Sequence, residues 1–188
     1  MPRAGLSPSS VVDAALAVID ERGAEALTLA AVAARTGVAA PSLYKHVGSL
    51  ADLRVGVGVR IMDELTGRLG TAALGRSGDD AVTALMHECR AYVMQHPARY
   101  AAMPVDPLHN KELAAAGGRL LGVFLAVLRG YGMTETDAVH ATRCLRAVVH
   151  GFATIQAAGG FGLPEDLDET YHRLVAMYVA SLPRPERS

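Results

Sequence analysis

The sequence predicts an all-α protein. Apolar residues recur at helical spacing along almost the whole chain, as at Val12, Ala15 and Ile19, which share one face of a helix. Alanine and leucine, which favour helices, are frequent, whereas the aromatic residues that favour strands make up only 5% of the chain. With 188 residues, 51% of them apolar, the chain can form one or two small domains with a packed core.

The first two helices are predicted from their start and stop signals. Ser7 fits an N-cap, Pro8 fits the first helical turn, and Gly23 fits the end of the first helix. The second helix begins after Thr28, another suitable N-cap, and ends at Gly37, because glycine adopts a left-handed conformation without strain. We therefore expect an amphipathic first helix followed by a short second one.

A short third helix and a longer fourth helix follow. The third runs from about Ala40 to His46, with Pro41 in its first turn. Residues 49–52, Ser-Leu-Ala-Asp, form a capping box that begins the fourth helix. Glycines and polar residues over 67–80 predict either a linker or the frayed end of this helix.

The second half of the chain keeps the same helical periodicity and predicts no strand. A segment with Pro104 and Pro107 interrupts it, and a further capping box at 134–137 begins a long helix. The helices are predicted at about 79–95, 110–129, 134–158 and 166–182.

The cellular compartment is predicted from cysteines and apolar runs. Cys89 and Cys144 are the only cysteines, too few for a disulfide framework, and no continuous apolar run stands near the N-terminus. The most apolar stretch, residues 120–128, is shorter than the roughly 20 residues that span a bilayer. We expect a cytoplasmic protein that is not inserted in a membrane.

Residues 28–47 are the segment most informative about function. Two short helices flank a tight turn at residues 36–38, which is the spacing of a helix-turn-helix, whose second helix enters the DNA major groove. The net charge of −1 counts against a nucleic-acid ligand, but this segment contains Arg35 and Lys45 and no carboxylate. Small and donor-bearing side chains on its second helix suit contacts with base edges and phosphates. The predicted DNA-contacting residues are Thr28, Ala39, Ala40, Pro41, Ser42, Tyr44, Lys45 and His46.

The stretch GVAAPSLYKHVGSLADL at 37–53, preceded by TLAAVAARTG at 28–37, is similar to the DNA-binding segment of the tetracycline-repressor (TetR) family of bacterial transcription regulators. The resemblance implies an N-terminal three-helix helix-turn-helix domain, a connecting helix and a C-terminal helical domain for ligand binding and dimerisation, which we place at residues 1–49, 50–70 and 71–188. It further implies a homodimeric repressor that binds double-stranded operator DNA and leaves it when a small molecule binds. No cofactor, metal ion or catalytic residue is expected.

Two positions depart from the family pattern. Ala39 stands where Ser or Thr is usual, and Leu50 stands where Lys is usual at the start of the fourth helix. The loss of a lysine removes a phosphate contact and lowers the salt dependence of DNA binding. Arg54, one turn later, and Arg3, ahead of the first helix, are candidates to compensate.

The stretch LRAVVHGFATIQAAGGFGLP at 145–164 is similar to the C-terminal domain of an H-G-F-A-type subgroup of the family. The resemblance implies that the last two helices form a four-helix bundle with those of a second subunit. The residues expected at this interface are Gly151, Ala153, Ala157, Ala158, Tyr171, Leu174, Tyr178 and Val179. The alternative is that these residues belong to the core of the monomer.

The resemblance also implies a ligand pocket between the helices at 79–95, 97–129 and 134–158. Apolar walls with a few polar groups suit a small, mostly apolar effector. The candidate lining residues are Met86, Tyr92, His96, Tyr100, Met103, Phe124, His150 and Phe152. Each of them fits a plain core position as well.

Three other functions compete with this interpretation. An enzyme is disfavoured because the chain has no G-x-S-x-G, H-E-x-x-H or P-loop motif. A metal-responsive regulator is an alternative because His140 and Cys144 stand four residues apart on one helix, with His87, Cys89 and His150 as further ligands. A helical interaction protein without DNA binding is a third, favoured by the missing lysine at Leu50.

Overall fold

The computed structural model describes residues 6–184, and every regular element within them is helical. The predicted all-α fold is thus confirmed, while Arg3 and the outer ends of the first and last predicted domains lie outside the described residues. The α-helices are α1 (Pro8–Arg22), α2 (Leu29–Thr36), α3 (Ala40–Leu43), α4 (Leu50–Ala73), α5 (Gly78–Gln95), α6 (Pro97–Ala101), α7 (Lys111–Leu128), α8 (Glu135–Ala157) and α9 (Leu167–Ser181).

The predicted helix caps are formed by the expected side chains. The Ser7 hydroxyl accepts a hydrogen bond from the Ser10 amide at 3.1 Å, and Pro8 occupies the first turn of α1. The hydroxyl of Thr134 accepts one from the Asp137 amide, also at 3.1 Å, at the start of α8. These bonds satisfy amides that a helix leaves without a partner in its first turn.

Helix α3 is shorter than predicted. It ends at Leu43, and turns follow as far as His46, whose amide donates to the Leu43 carbonyl at 2.8 Å. The Lys45 amide likewise donates to the carbonyl of Ser42. These bonds span three residues rather than four, so the end of the segment is wound more tightly than an α-helix.

Helix α4 is longer than predicted: it continues to Ala73, past the predicted end of the connecting helix at residue 70 and through the glycines at 67 and 70. Leu65 and Leu69, one turn apart, are both buried. Burial of a leucine side chain stabilises by about 1.5–3 kcal/mol, whereas a helical glycine costs about 1 kcal/mol relative to alanine. Packing therefore outweighs the weak helix propensity of Gly67 and Gly70.

Helix α7, extended to Tyr131, is the one helix in the described part of the chain that is long and apolar enough to cross a membrane. It exceeds the apolar stretch at 120–128 because alanines and glycines extend it at its N-terminal end. Length and composition alone are weak evidence, since a core helix passes the same test. Phe124 and Leu128 are buried, but only 22% of the most apolar 18-residue window of this helix is buried inside the protein.

The chain packs as two compact units that do not follow the chain in order. The first combines the described residues up to Asp63 with the segment Ala98–Gly117, which we call the arm. The second combines Glu64–Pro97 with the described residues from Gly118 onward. The predicted domain boundaries at residues 49 and 70 stay a prediction. They divide the chain by function, whereas these two units are defined by packing.

In the second unit α5 packs along α8, and α9 lies against both. Of the four α9 side chains expected at a subunit interface, Tyr171, Tyr178 and Val179 point into this core, and Leu174 is half-buried. Tyr171 is fully buried and donates to the Met86 carbonyl at 2.6 Å, and Tyr178 donates to the Ala141 carbonyl at 2.8 Å. Val179 and Ala153 are buried as well. For these residues the interface prediction is wrong and the alternative, a place in the monomer core, is correct, because each tyrosine hydroxyl finds its partner inside the subunit.

Candidate nucleic-acid interface and effector site

A tight turn joins α2 to α3. Gly37 has φ +69° and its amide donates to the Ala33 carbonyl, which ends α2 in a left-handed residue. Val32 and Leu43, one from each helix, are fully buried. The turn and this apolar pair fix the angle between the two helices, so the outer side chains of α3 are held on a rigid support.

The predicted DNA-contacting residues all reach the surface of this unit to some degree. Tyr44 is 58% exposed, and the side chains of Thr28, Ala39, Pro41 and Lys45 are exposed as well. Three others are half-buried, namely Ala40, Ser42 and His46. Small residues at the start of α3 leave room for close approach to a groove, and the phenol and ammonium groups that follow can bind phosphate.

The charge of this surface is lower than the sequence indicates. The guanidinium of Arg35 donates to the Glu21 carboxylate of α1 at 2.7 Å, so its charge is compensated. Within residues 6–184, Lys45 and Arg54 form no ion pair. These two exposed cations, one after α3 and one in the second turn of α4, lie in and just after the helix-turn-helix, where they are available to phosphates.

Four of the eight predicted effector residues lie in two contact groups. Met86 and Phe152 meet at Tyr171, whose hydroxyl binds the carbonyl of Met86 and whose ring centroid lies 5.0 Å from that of Phe152. The rings of Tyr92 and His96 lie 5.3 Å apart. The other four are Phe124, which is buried, Tyr100 and Met103, which are half-buried in the arm, and His150, which is exposed.

A groove of about 580 Å³ lies in the second unit, between the end of α4, the outer face of α5 and the start of α9. Alanines form part of its wall, and charged side chains surround them. The lining residues are Ala72, Arg76, Ala84, His87, Glu88, Arg90, Ala91, Met94 and Asp168. None of the eight predicted effector residues lines this groove.

Arg90, in α5, contacts side chains of both α8 and α9 and was not among the residues predicted from the sequence. Its side chain is 12% exposed, pairs with Asp168 at 2.7 Å and donates to the Gln156 side chain at 2.8 Å. Its guanidinium lies 4.7 Å from the ring centroid of Tyr171 and 5.3 Å from that of Phe152. It joins α5, α8 and α9 by ion pairing and cation–π contact. The signal in the sequence is that Arg90 follows the apolar Met86 by one helical turn, which places a cation on the buried face of α5.

Two titratable groups near Arg90 have shifted pKa values. Burial, then the nearby His172 and Arg90, lowers the pKa of His87, whose ring lies 5.1 Å from that of His172. Burial raises the pKa of the Cys89 thiol to about 12. A thiol with that pKa stays protonated at neutral pH, and the thiolate is the form that binds metals.

The residues of the metal-responsive alternative are not assembled. His140 and Cys144 are exposed on α8. Among residues 6–184, no three His, Cys, Asp or Glu side chains are placed to hold a metal ion together.

Comparison with known proteins agrees with the helix-turn-helix geometry. Residues 11–55 match the model of the tetR family of bacterial regulatory proteins, and residues 82–178 match the tetracyclin repressor-like C-terminal domain. A Mycobacterium tuberculosis protein named as an uncharacterized HTH-type transcriptional regulator, Rv0681, is 34% identical over 183 residues, which are 96% of this chain and 84% of that protein.

Two further comparisons extend the match. The uncharacterized HTH-type transcriptional regulator YobS of Bacillus subtilis is 30% identical over 96% of this chain and 95% of its own length. The structure of TetR from Acinetobacter baumannii in complex with minocycline shares the fold, with a TM-score of 0.72 at 18% identity over 94% of this chain and 96% of that one. The chain therefore belongs to the TetR family of bacterial regulatory proteins.

Proposed function

We propose that this protein is a homodimeric repressor that binds a double-stranded operator through α3 and leaves it when a small molecule binds. The observation that carries the proposal is the exposed pair Tyr44 and Lys45, held beside a left-handed turn at Gly37. The names of both relatives, which are HTH-type transcriptional regulators, support DNA binding. The minocycline complex of a protein with the same fold supports a small-molecule effector.

The experiment is a fluorescence-anisotropy titration of DNA fragments from upstream of the coding gene. The double variant Tyr44→Ala, Lys45→Ala is expected to lose operator binding, because it removes a phosphate-binding hydroxyl and the free cation of the segment. Lys111→Ala is the matched control, since Lys111 is the only other lysine of the chain. Wild-type affinity in the double variant would show that α3 is not the reading helix and would favour the interaction protein without DNA binding.

For the dimer we propose the outer faces of α8 and α9. In the single chain these faces combine small residues with two large, exposed apolar side chains, those of Ile155 and Met177. They comprise Ala147, Gly151, Ile155, Ala176, Met177 and Ala180, and Met177 is 74% exposed. A two-fold interface here would present two α3 segments to half-sites about 34–36 Å apart. The finer resemblance to an H-G-F-A-type subgroup is part of this proposal.

For the effector we propose the apolar and aromatic residues predicted from the sequence, which are Met86, Tyr92, His96, Tyr100, Met103, Phe124, His150 and Phe152. Their support is chemical, since apolar side chains with a few polar groups are typical of small-molecule sites. The probe is minocycline, assayed for release of the protein from operator DNA and by fluorescence quenching. Phe124→Ala should weaken binding of a compound that acts at this site, whereas release by Zn²⁺ that Cys144→Ser abolishes would favour the metal-responsive alternative.

A further inference from the structure

The arm, Ala98–Gly117, packs against α4 where glycines replace side chains. A Cβ atom added to Gly58 would lie 2.9 Å from side-chain atoms of both Leu113 and Pro104. One added to Gly117, in the arm itself, would lie 3.9 Å from the sulfur of Met62 in α4 and 3.2 Å from Pro107, which is also in the arm. Carbon atoms of separate side chains pack at about 3.5–4.0 Å, so the backbones approach more closely than larger residues allow. The arm is therefore an integral part of the first unit.

A bidentate ion pair also joins the arm to α1. Nε and one terminal nitrogen of Arg99 donate to the two carboxylate oxygens of Asp20 at 2.7 and 2.6 Å. The two side chains are 20% and 32% exposed, against 38% and 57% for the Arg35–Glu21 pair of the same unit. Bidentate geometry and lower exposure make such a pair stronger than an ordinary surface pair.

The Arg99–Asp20 pair holds a segment whose two ends both continue into the second unit. The arm begins one residue after Pro97 and ends at Gly117, and on both sides the chain continues into the second unit. Helix α1, which carries Asp20, packs directly against α2 of the helix-turn-helix. Arg99 thus joins the arm to α1, the helix that packs against α2.

We propose that the Arg99–Asp20 pair couples the arm to the helix-turn-helix and thereby sets operator affinity. Arg99 is a positioning residue that acts through α1 and makes no DNA contact. The inference rests on the proposed operator binding. It adds a specific link, within the first unit, between the arm and the helix-turn-helix.

The test compares Arg99→Gln with wild type in operator titrations at several salt concentrations, at a temperature where both are fully folded. We expect the dissociation constant to rise about five- to tenfold, while the slope of log K against log salt stays unchanged. Loss of a direct phosphate contact would instead lower that slope by about one per site. The charge-reversed double variant Asp20→Arg, Arg99→Asp should recover most of the affinity.

Arg60→Gln is the matched control, because Arg60 also pairs with an α1 carboxylate, that of Asp13, but with greater exposure. It should change affinity less than twofold. Wild-type operator affinity in Arg99→Gln, or a lower slope of log K against log salt, would overturn the proposal.

Hydrogen exchange distinguishes failure of this proposal from failure of the proposed operator binding, because it is measured without DNA. Arg99→Gln should speed amide exchange in α6 and in the last turn of α1, and if exchange there equals that of Arg60→Gln, the coupling is absent whether or not DNA binds.

Discussion

Arg35, in the last turn of α2, donates a 2.7 Å hydrogen bond to Glu21 in the last turn of α1. The two residues stand fourteen positions apart, so inspection of residues 28–47 alone counts the arginine as a free cation. The pair halves the uncompensated positive charge of this segment and leaves Lys45.

Removal of the Glu21 carboxylate should therefore strengthen DNA binding. We expect Glu21→Gln to raise operator affinity a few-fold at low salt and to make the salt dependence steeper, because Arg35 becomes available to a phosphate. Anisotropy titrations over a range of salt concentrations measure both quantities. Glu25→Gln is the control of equal charge change, and an equal effect from both variants would show that only net charge matters.

Gly37 and Gly67 should respond to alanine in opposite directions. Gly37 has φ +69°, which costs a residue with a Cβ about 1–2 kcal/mol, so Gly37→Ala should lower the free energy of unfolding. Gly67 lies inside α4, and apart from its chain neighbours and the nearby backbone of that helix no atom lies within 4 Å of an added Cβ, so Gly67→Ala should raise the free energy of unfolding by up to about 1 kcal/mol. Urea denaturation of both variants checks the signs, and stabilisation by Gly37→Ala would contradict the turn geometry.

The dimer should depend on Met177. Because this side chain is exposed in the single chain, Met177→Glu should leave the fold intact while weakening dimerisation at least tenfold, since it places a charge in an apolar interface. Analytical ultracentrifugation measures the dissociation constant. Met94→Glu is the control, because Met94 is an exposed methionine on α5. A dimer that tolerates Met177→Glu but not Met94→Glu would move the interface to α5.

Stability should fall in weak acid through His87. Its pKa is lowered in the folded protein, so the unfolded chain binds a proton more readily, and the stabilisation is present above the ordinary pKa of 6.5. It is lost as pH falls below that value. The groups around His87 are His172, Tyr171, Arg90 and Asp168. Between pH 7.5 and 5, the melting temperature of His87→Gln should decline less than that of wild type. His109→Gln, at a histidine that is 88% exposed, should decline as wild type does.

Local signals predicted most helix boundaries, because caps act within a few residues of the helix they begin. Ser7, Thr28, Ser49 and Thr134 each accept an amide hydrogen bond in the first turn that follows. The end of α4 was missed because the burial of Leu69 depends on residues distant in the sequence. Propensity at Gly67 and Gly70 gives no information on such packing.

The orientation of α9 shows the other limit of sequence analysis. Tyr171 and Tyr178 lie on the same apolar face, two turns apart, and periodicity identifies that face correctly. Periodicity does not say whether the face packs on its own subunit or on a second one. The answer depends on where the carbonyls of Met86 and Ala141 lie, since these bind the two hydroxyls. The same holds for Arg90, whose partners come from α8 and α9.

The arm has a consequence for biosynthesis. Because the first unit needs the segment up to Gly117, it cannot be completed when the ribosome has synthesised only α1 to α4. A fragment that stops in α4 would leave Gly58 uncovered and Asp20 without its arginine. The helix-turn-helix of this chain is thus expected to mature only after α5 and the arm have left the ribosome. A fragment that contains the helix-turn-helix and ends within α4 should therefore be less stable than the same residues in the whole protein.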